Sequence, residues 1–200
     1  MTQTDLSAPL ILPVASAQMV QRLRQRRSAP AQSLSAPAPS PEQVQQILSI
    51  GARTPDHGKL FPWRFVVLGP NSRQDLGAKL AEMAQRQGRT DKDTKVLAKL
   101  ANPPLTIMVV SAPIEGHKVP VWEQQLSAGA VCMNLEHAAD ALGFSASWIT
   151  DWYAYDAEAT ALFGIKDGET IAGFIHIGTL IEGPLERPRP DMETKVEYRE

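Results

Sequence analysis

Two hundred residues, 43% hydrophobic and 21% charged, suffice for one domain with a sizeable core, or for one domain with extensions. A formal charge of −2 without a long basic stripe argues against nucleic acid as a partner, and no apolar run reaches the roughly 18 residues of a membrane span. The single cysteine, Cys132, excludes an intrachain disulfide and fits a reducing, cytoplasmic setting, and no basic segment precedes the apolar residues 10–15, so no signal peptide is expected.

Residues 1–18 read as an N-terminal arm and residues 19–200 as one domain that ends in an extended tail. Residues 1–15 lack periodicity. Met19, Val20 and Leu23 give residues 17–27 an apolar helical face. Arg22, Arg24, Arg26 and Arg27 gather toward the end of that helix, where cations complement its dipole. Residues 28–40 are rich in Ala, Pro and Ser and cannot be helical; they read as an ordered connector or as a flexible linker.

Ser40-Pro41-Glu42 starts a helix, with Ser as N-cap and Pro at N1. That helix enters the stretch around which the chain is organised, GARTPDHGKLFPWRFVV at 51–67. Gly51 loosens the last turn, and Pro55 forbids more helix because it has no N–H. Asp56, His57, Gly58 and Lys59 form a polar turn, and Pro62 opens a strand. Arg53, His57, Lys59 and Arg64 crowd this segment. It either suits an anionic, planar ligand or merely connects two elements.

Asn71 is placed to cap a helix that runs to about Gln87, with Leu76, Leu80 and Met83 as its apolar row, and residues 91–101 predict another short helix. LTIMVVS at 105–111 is nearly all apolar, which predicts a central strand covered on both faces. Residues 120–142 carry the longest helical pattern. Its middle, SAGAVCM, is small and apolar on most sides, so burial all round and close backbone approach are expected. Residues 144–150 and 170–179 read as strands, with a helix from Asp156 to Phe163 between them. Prolines and charges follow Gly183. The sum is a central sheet wrapped by helices, with one helix buried in the middle.

No GxGxxG follows a strand and no Walker-type loop appears, so classical nucleotide motifs are unsupported. His57, His117, His137, His176 and Cys132 have no metal-ligand spacing. His137 and His176 read as structural histidines, Cys132 as an inert core thiol, and Asp151 and Asp156 as turn and N-cap residues. What remains are positive and planar-binding groups in three places: residues 26–28, the loop 53–64, and residues 147–150 at a strand end.

RRS at 26–28, TPDHGKLFPWRF at 54–65, HKVPVWEQQLSAGA at 117–130 and GF…W at 143–148 resemble, in this order and spacing, the nitroreductase family. The resemblance is to its small, minimal YdjA-like branch of NAD(P)H nitroreductases and spans about residues 19–180. It implies an α+β fold, a central mainly antiparallel sheet wrapped by helices, in an intertwined homodimer with flavin mononucleotide (FMN) bound at the subunit interface. The helix over 120–142 would form much of that interface. FMN contacts carry over to Arg26, Arg27, Ser28, Arg53, His57, Trp148, Ile149 and Thr150, with Arg187 or Arg189 of the tail supplying a phosphate-binding cation. The stretch from Ala138 to Gly143 is implied to meet the nicotinamide cofactor, NADH or NADPH. The implied activity is FMN-dependent NAD(P)H oxidoreduction, ping-pong, through flavin N5 to a nitroaromatic, quinone or similar small-molecule acceptor. No side chain is assigned as catalytic, because the flavin carries the chemistry. The alternative is an FMN-binding protein of the same fold with different flavin chemistry or none.

The physics agrees, since a dianionic phosphate wants an arginine pair and a hydroxyl. Four departures stand out. Gln32 lies where relatives carry a third cation, Lys59 where many have Asn, Phe61 in place of a common Gln, and Ile149 in place of a polar residue.

Overall fold

A computed structural model describes residues 9–199. Of the expected arm, residues 1–8 lie outside the described residues, and residues 9–16 carry no regular secondary structure. The four strands β1 (Trp63–Leu68), β2 (Leu105–Ser111), β3 (Ser145–Ile149) and β4 (Thr170–Gly178) form one sheet in the order β1-β2-β4-β3, with every neighbouring pair antiparallel. Among the described residues, seven α-helices surround it: α1 (Ala17–Gln25), α2 (Pro41–Gly51), α3 (Pro70–Arg86), α4 (Asp91–Lys95), α5 (Ala98–Ala101), α6 (Val121–Ala141) and α7 (Ala157–Leu162). This is the α+β architecture expected. No helix among the described residues is long and apolar enough to cross a membrane.

β2 is buried along its whole length, as its apolar run requires. Its side chains alternate between two cores. Met108 and Val110 pack with Leu76, Leu80 and Met83 of α3, and with Leu100, Phe163 and Phe174. Leu105, Ile107 and Val109 pack with Ile47 of α2 and with Val131, Cys132 and Leu135 of α6. α2 begins on the expected cap: Ser40 Oγ accepts the Gln43 N–H, and Gln43 Oε1 accepts the Ser40 N–H. At its other end Gly51 meets α6 so closely that a Cβ there would lie 2.5 Å from Leu135 Cδ2. That glycine therefore permits helix packing as well as loosening the turn.

Several expectations shift. α3 starts at Pro70 with Gly69 as its cap, ahead of Asn71, because proline is preset for the first helical position. The helix over 91–101 divides into α4 and α5 at Val96 and Leu97, and the turn lets both Leu97 and Leu100 bury. The connector over 28–40 is ordered: the Ala29 N–H donates to Ala146 O at 2.9 Å, and Ser35 pairs with Thr179 beyond the end of β4. α6 is not buried all round. Ser127, Ala128, Val131, Cys132 and Leu135 face the core, while Trp122 is 60% and Leu126 58% exposed on the opposite side. His137 is half-buried on that open side rather than in the core.

One residue carries structural work the sequence did not announce. Arg73 of α3 is 1% exposed and donates to the carbonyl oxygens of Leu68, Leu100, Ala101, Pro103 and Pro104. These are the end of β1, the C-terminal turn of α5 and the lead into β2. A guanidinium has five N–H donors, which suits it to collect carbonyls from three directions.

Candidate functional site

β3 is an edge strand, and the segment after α1 lies along its free edge through the Ala29–Ala146 hydrogen bond. The free Trp148 N–H is not left to water. Glu136 of α6 accepts it on Oε1 at 2.9 Å and places Oε2 3.5 Å from Arg26 Nη1. Glu136 is 5% exposed. Burial raises its pKa, and Arg26, the Trp148 N–H and His137 act in the opposite direction. Ser28 Oγ lies 3.4 Å from Arg26 Nη1.

The tail joins the same cluster. Arg27 Nε donates to Leu185 O at 2.9 Å and stands 3.7 Å from Glu186 Oε1, which also accepts Arg189 Nη2 at 2.8 Å. Arg189 Nη2 reaches Arg26 O at 3.3 Å, so Arg189 rather than Arg187 adds its cation. Arg26, Arg27, Ser28 and Arg189 thus converge beside the backbone at Trp148.

The Trp148 side chain does not point into this cluster. Its Nε1 donates to Ala172 O at 3.1 Å, where β4 bulges: Gly173 pairs with Val109 and Ile171 with Val110, leaving Ala172 over. Only glycine at 173 leaves room, since a Cβ there would lie 2.1 Å from the indole nitrogen. The indole is a packing group. Ile149 and Thr150 are half-buried, with Thr150 Oγ1 2.7 Å from the Tyr155 hydroxyl. Next in the chain, Asp151 caps Trp152 and accepts Lys99 Nζ at 3.0 Å. Lys99, Lys92 and Lys95 share with Gln32 a hollow of about 420 Å³. Lysines of α4 and α5 therefore stand in space beside Gln32, with Lys99 paired to Asp151.

The central loop is fastened to α6 at Glu123, Ser127 and Asn134. Ser127 Oγ donates to Pro55 O at 2.8 Å and accepts Trp63 Nε1 at 3.3 Å, while Asn134 Nδ2 donates to Thr54 Oγ1 at 2.7 Å. His57 Nδ1 lies 2.6 Å from Glu123 Oε2, and Arg53 and Lys59 are exposed. Asp56 shapes the turn by accepting the N–H groups of Gly58, Lys59 and Phe61 at 3.2, 2.8 and 2.8 Å. Burial acts to raise its pKa, but these N–H donors win and hold it below the usual value. Arg64 leaves the group. It points across β1 to Glu169, at 2.6 Å, and to Gly164 O, and it helps hold Glu169 down at about 2. Its strand position faces α7, so it serves packing rather than a ligand.

Ser127 and Glu136 are nine positions apart on α6, about 13 Å along the axis. Arg26 and the Trp148 backbone meet α6 at Glu136; His57 meets it at Glu123, thirteen positions earlier, while Thr54, next to Arg53, meets it at Asn134. Ala138 and Gly143 line a separate open groove of about 810 Å³ with Met19, Leu23, Ile50 and His137. Ala138 is itself buried, so Gly143, exposed at φ +86°, is the more accessible of the two. His176 is neutral in the core, 2.8 Å from Thr106 Oγ1, with burial the main cause of a pKa near 3. Burial likewise pushes the Cys132 thiol up to about 12, which leaves it inert. Among the described residues no cluster of His, Cys, Asp and Glu is arranged to hold a metal.

The model of the Nitroreductase family matches residues 23–179. The chain belongs to the nitroreductase family. This nitroreductase-family chain is 39% identical over 158 residues to the Escherichia coli (strain K12) protein named "Putative NAD(P)H nitroreductase YdjA", covering 77% of the present chain and 84% of that one. Among solved structures, a nitroreductase-like family protein from Bacillus cereus superposes with a TM-score of 0.78 at 19% identity, over 96% of this chain and 100% of that one. A "putative nitroreductase in complex with fmn" from Desulfovibrio desulfuricans gives 0.71 at 22% identity, over 92% and 99%. At these identities the two structures speak for the fold.

Proposed function

We propose that this nitroreductase-family chain is an FMN-dependent NAD(P)H oxidoreductase that acts as a homodimer on a nitroaromatic, quinone or similarly electron-poor acceptor. The observation that carries the reading is the convergence of Arg26, Arg27, Ser28 and Arg189 along the free edge of β3. Three arginines and a hydroxyl supply the donors that a phosphate dianion demands, with the phosphate taking the place of the exposed Glu186 against Arg27 and Arg189 while Glu136 stays to orient Arg26, so the residues present fit FMN. The name of the E. coli relative and the FMN in the D. desulfuricans structure support the same reading. When bound, FMN supplies the hydride transfer, from NADH or NADPH to the acceptor in ping-pong order.

The chain's own residues bind and orient. Arg26, Arg27 and Arg189 neutralise the phosphate, and Ser28 donates to it. Glu136 fixes both Arg26 and the Trp148 backbone, so the phosphate-binding arm and the strand end move as one unit. Lys99 brings positive charge to the segment around Gln32, where relatives place a cation to stabilise the reduced ring. The groove beside Gly143 receives the nicotinamide cofactor. His57 completes the site across the dimer, because its partner Glu123 stands thirteen positions, about 20 Å along α6, from Glu136, and Arg53 of the same loop accompanies it. The open face of α6, with Trp122 and Leu126, is the contact that brings the second copy.

The test is FMN affinity in full-length Arg27→Ala and Arg189→Ala, read from quenching of flavin fluorescence. A charge-assisted hydrogen bond contributes about 1.5–3 kcal/mol, so each change is expected to weaken FMN binding roughly 10- to 100-fold. Unchanged affinity in both variants would remove the cluster from the flavin site.

A further inference from the structure

Resting on that reading of the site, we infer that Phe61 is an acceptor-selecting residue, a fixed aromatic platform on which a planar, electron-poor ring stacks. The observation is strain with an evident purpose. Within five residues, three non-glycine residues have left-handed backbones: His57 at φ +59°, Lys59 at +60° and Phe61 at +49°. Such conformations are costly for bulky side chains, and they persist where the surroundings over-determine them. Here the determinant is visible. The Asp56 carboxylate accepts the N–H groups of Gly58, Lys59 and Phe61, which locks the turn.

The lock serves no burial, since Phe61 is 62% exposed. Stability alone would favour glycine or asparagine at a left-handed position and a polar side chain at an exposed one. The turn instead presents a ring. Trp63 meets that ring at 6.3 Å and 74°, an edge-type contact that steadies it without covering it by stacking. Trp63 is anchored in turn through Ser127 to α6. The loop also carries His57 and follows Arg53, the two residues carried over to the flavin from this side. The faces of a nitro-substituted ring are depleted of electrons and those of Phe are rich in them, so offset stacking is favourable. A small inorganic oxidant gains nothing from such a surface.

The test compares full-length, FMN-loaded wild type with Phe61→Ala and Phe61→Tyr, using p-nitrobenzoate and ferricyanide as acceptors. Equilibrium binding of p-nitrobenzoate to the oxidised protein, followed by tryptophan quenching, supplies a reading without turnover. The expected result for Phe61→Ala is a KM and a Kd for p-nitrobenzoate raised roughly tenfold, with the ferricyanide KM raised far less. Tyr, which keeps the ring, is expected to restore both. Unchanged Kd in Phe61→Ala, equal loss with the two acceptors, or no rescue by Tyr would overturn the inference. If wild type is not reduced by NADH or NADPH, the oxidoreductase reading fails, while the Kd comparison still decides the platform.

Discussion

Replacing Gly173 with Ala tests whether the sheet itself holds the site together. A Cβ at 173 would lie 2.1 Å from Trp148 Nε1 and 2.4 Å from Cδ1, where ordinary contact begins at 3.4 Å, so the indole must move by the difference of 3.4 and 2.1, about 1.3 Å. It has little room to retreat, because its far edge already lies against α6 at Gly129. Moving it breaks the 3.1 Å bond from Nε1 to Ala172 O. Overpacking costs about 1–3 kcal/mol and a lost hydrogen bond about 1 kcal/mol, so the change should destabilise by roughly 2–4 kcal/mol. For a domain of this size that lowers Tm by roughly 4–16 °C. The backbone N–H of the same residue binds Glu136, which holds Arg26, so FMN affinity should fall with stability. Thermal unfolding with and without FMN reads both effects. Gly129→Ala is the control, because its Cβ would meet the indole at an ordinary 3.7 Å. A Gly173→Ala protein with wild-type Tm and wild-type FMN affinity would refute the packing described for Trp148.

Glu136→Leu should cost about 2–4 kcal/mol, leaving the Trp148 N–H without an acceptor and Arg26 without its counter-charge, whereas Glu136→Gln keeps the acceptor and should cost about 1 kcal/mol. Burial holds the native Glu136 carboxyl above 4.5, so its favourable contribution is full below about that pH and is lost as pH rises through the raised value. Stability measured against pH should therefore show Glu136→Gln gaining on wild type as pH rises from 4.5. Arg73→Met strips the shared donor from five buried or half-buried carbonyls and should cost about 3–5 kcal/mol in urea unfolding, with FMN affinity of the folded protein unchanged.

Much of the fold can be read along the chain because it is written in local signals. The all-apolar LTIMVVS forces a strand with two covered faces, and the Ser40–Gln43 box fixes the start of α2. Boundaries moved where a stronger local preference won, as at Pro70. The α6 pattern was ambiguous for a different reason. Small apolar residues on every side state that all faces are covered, but not whether the cover is the same chain or another. In the candidate site, the motifs at 26–28 and 54–65 stand out along the chain, whereas the contacts of Glu136 and Lys99 do not. Glu136 meets Arg26 across 110 residues, and Lys99 meets Asp151 across 52. An acid on the inward face of a long helix is the signal that could have exposed Glu136. Side-chain direction was equally hidden. The bulge at Ala172 turns Trp148 inward, and Glu169 draws Arg64 across the sheet.

The central claim is that this nitroreductase-family chain holds FMN and passes hydride through it. The direct measurement is the absorption spectrum of full-length protein reconstituted with FMN, recorded anaerobically before and after NADH, then NADPH, then a nitroaromatic. The account predicts a bound flavin spectrum that bleaches with at least one nicotinamide donor and recovers on adding the acceptor. A bound flavin that neither donor reduces, or a protein that fails to retain FMN at all, would contradict it.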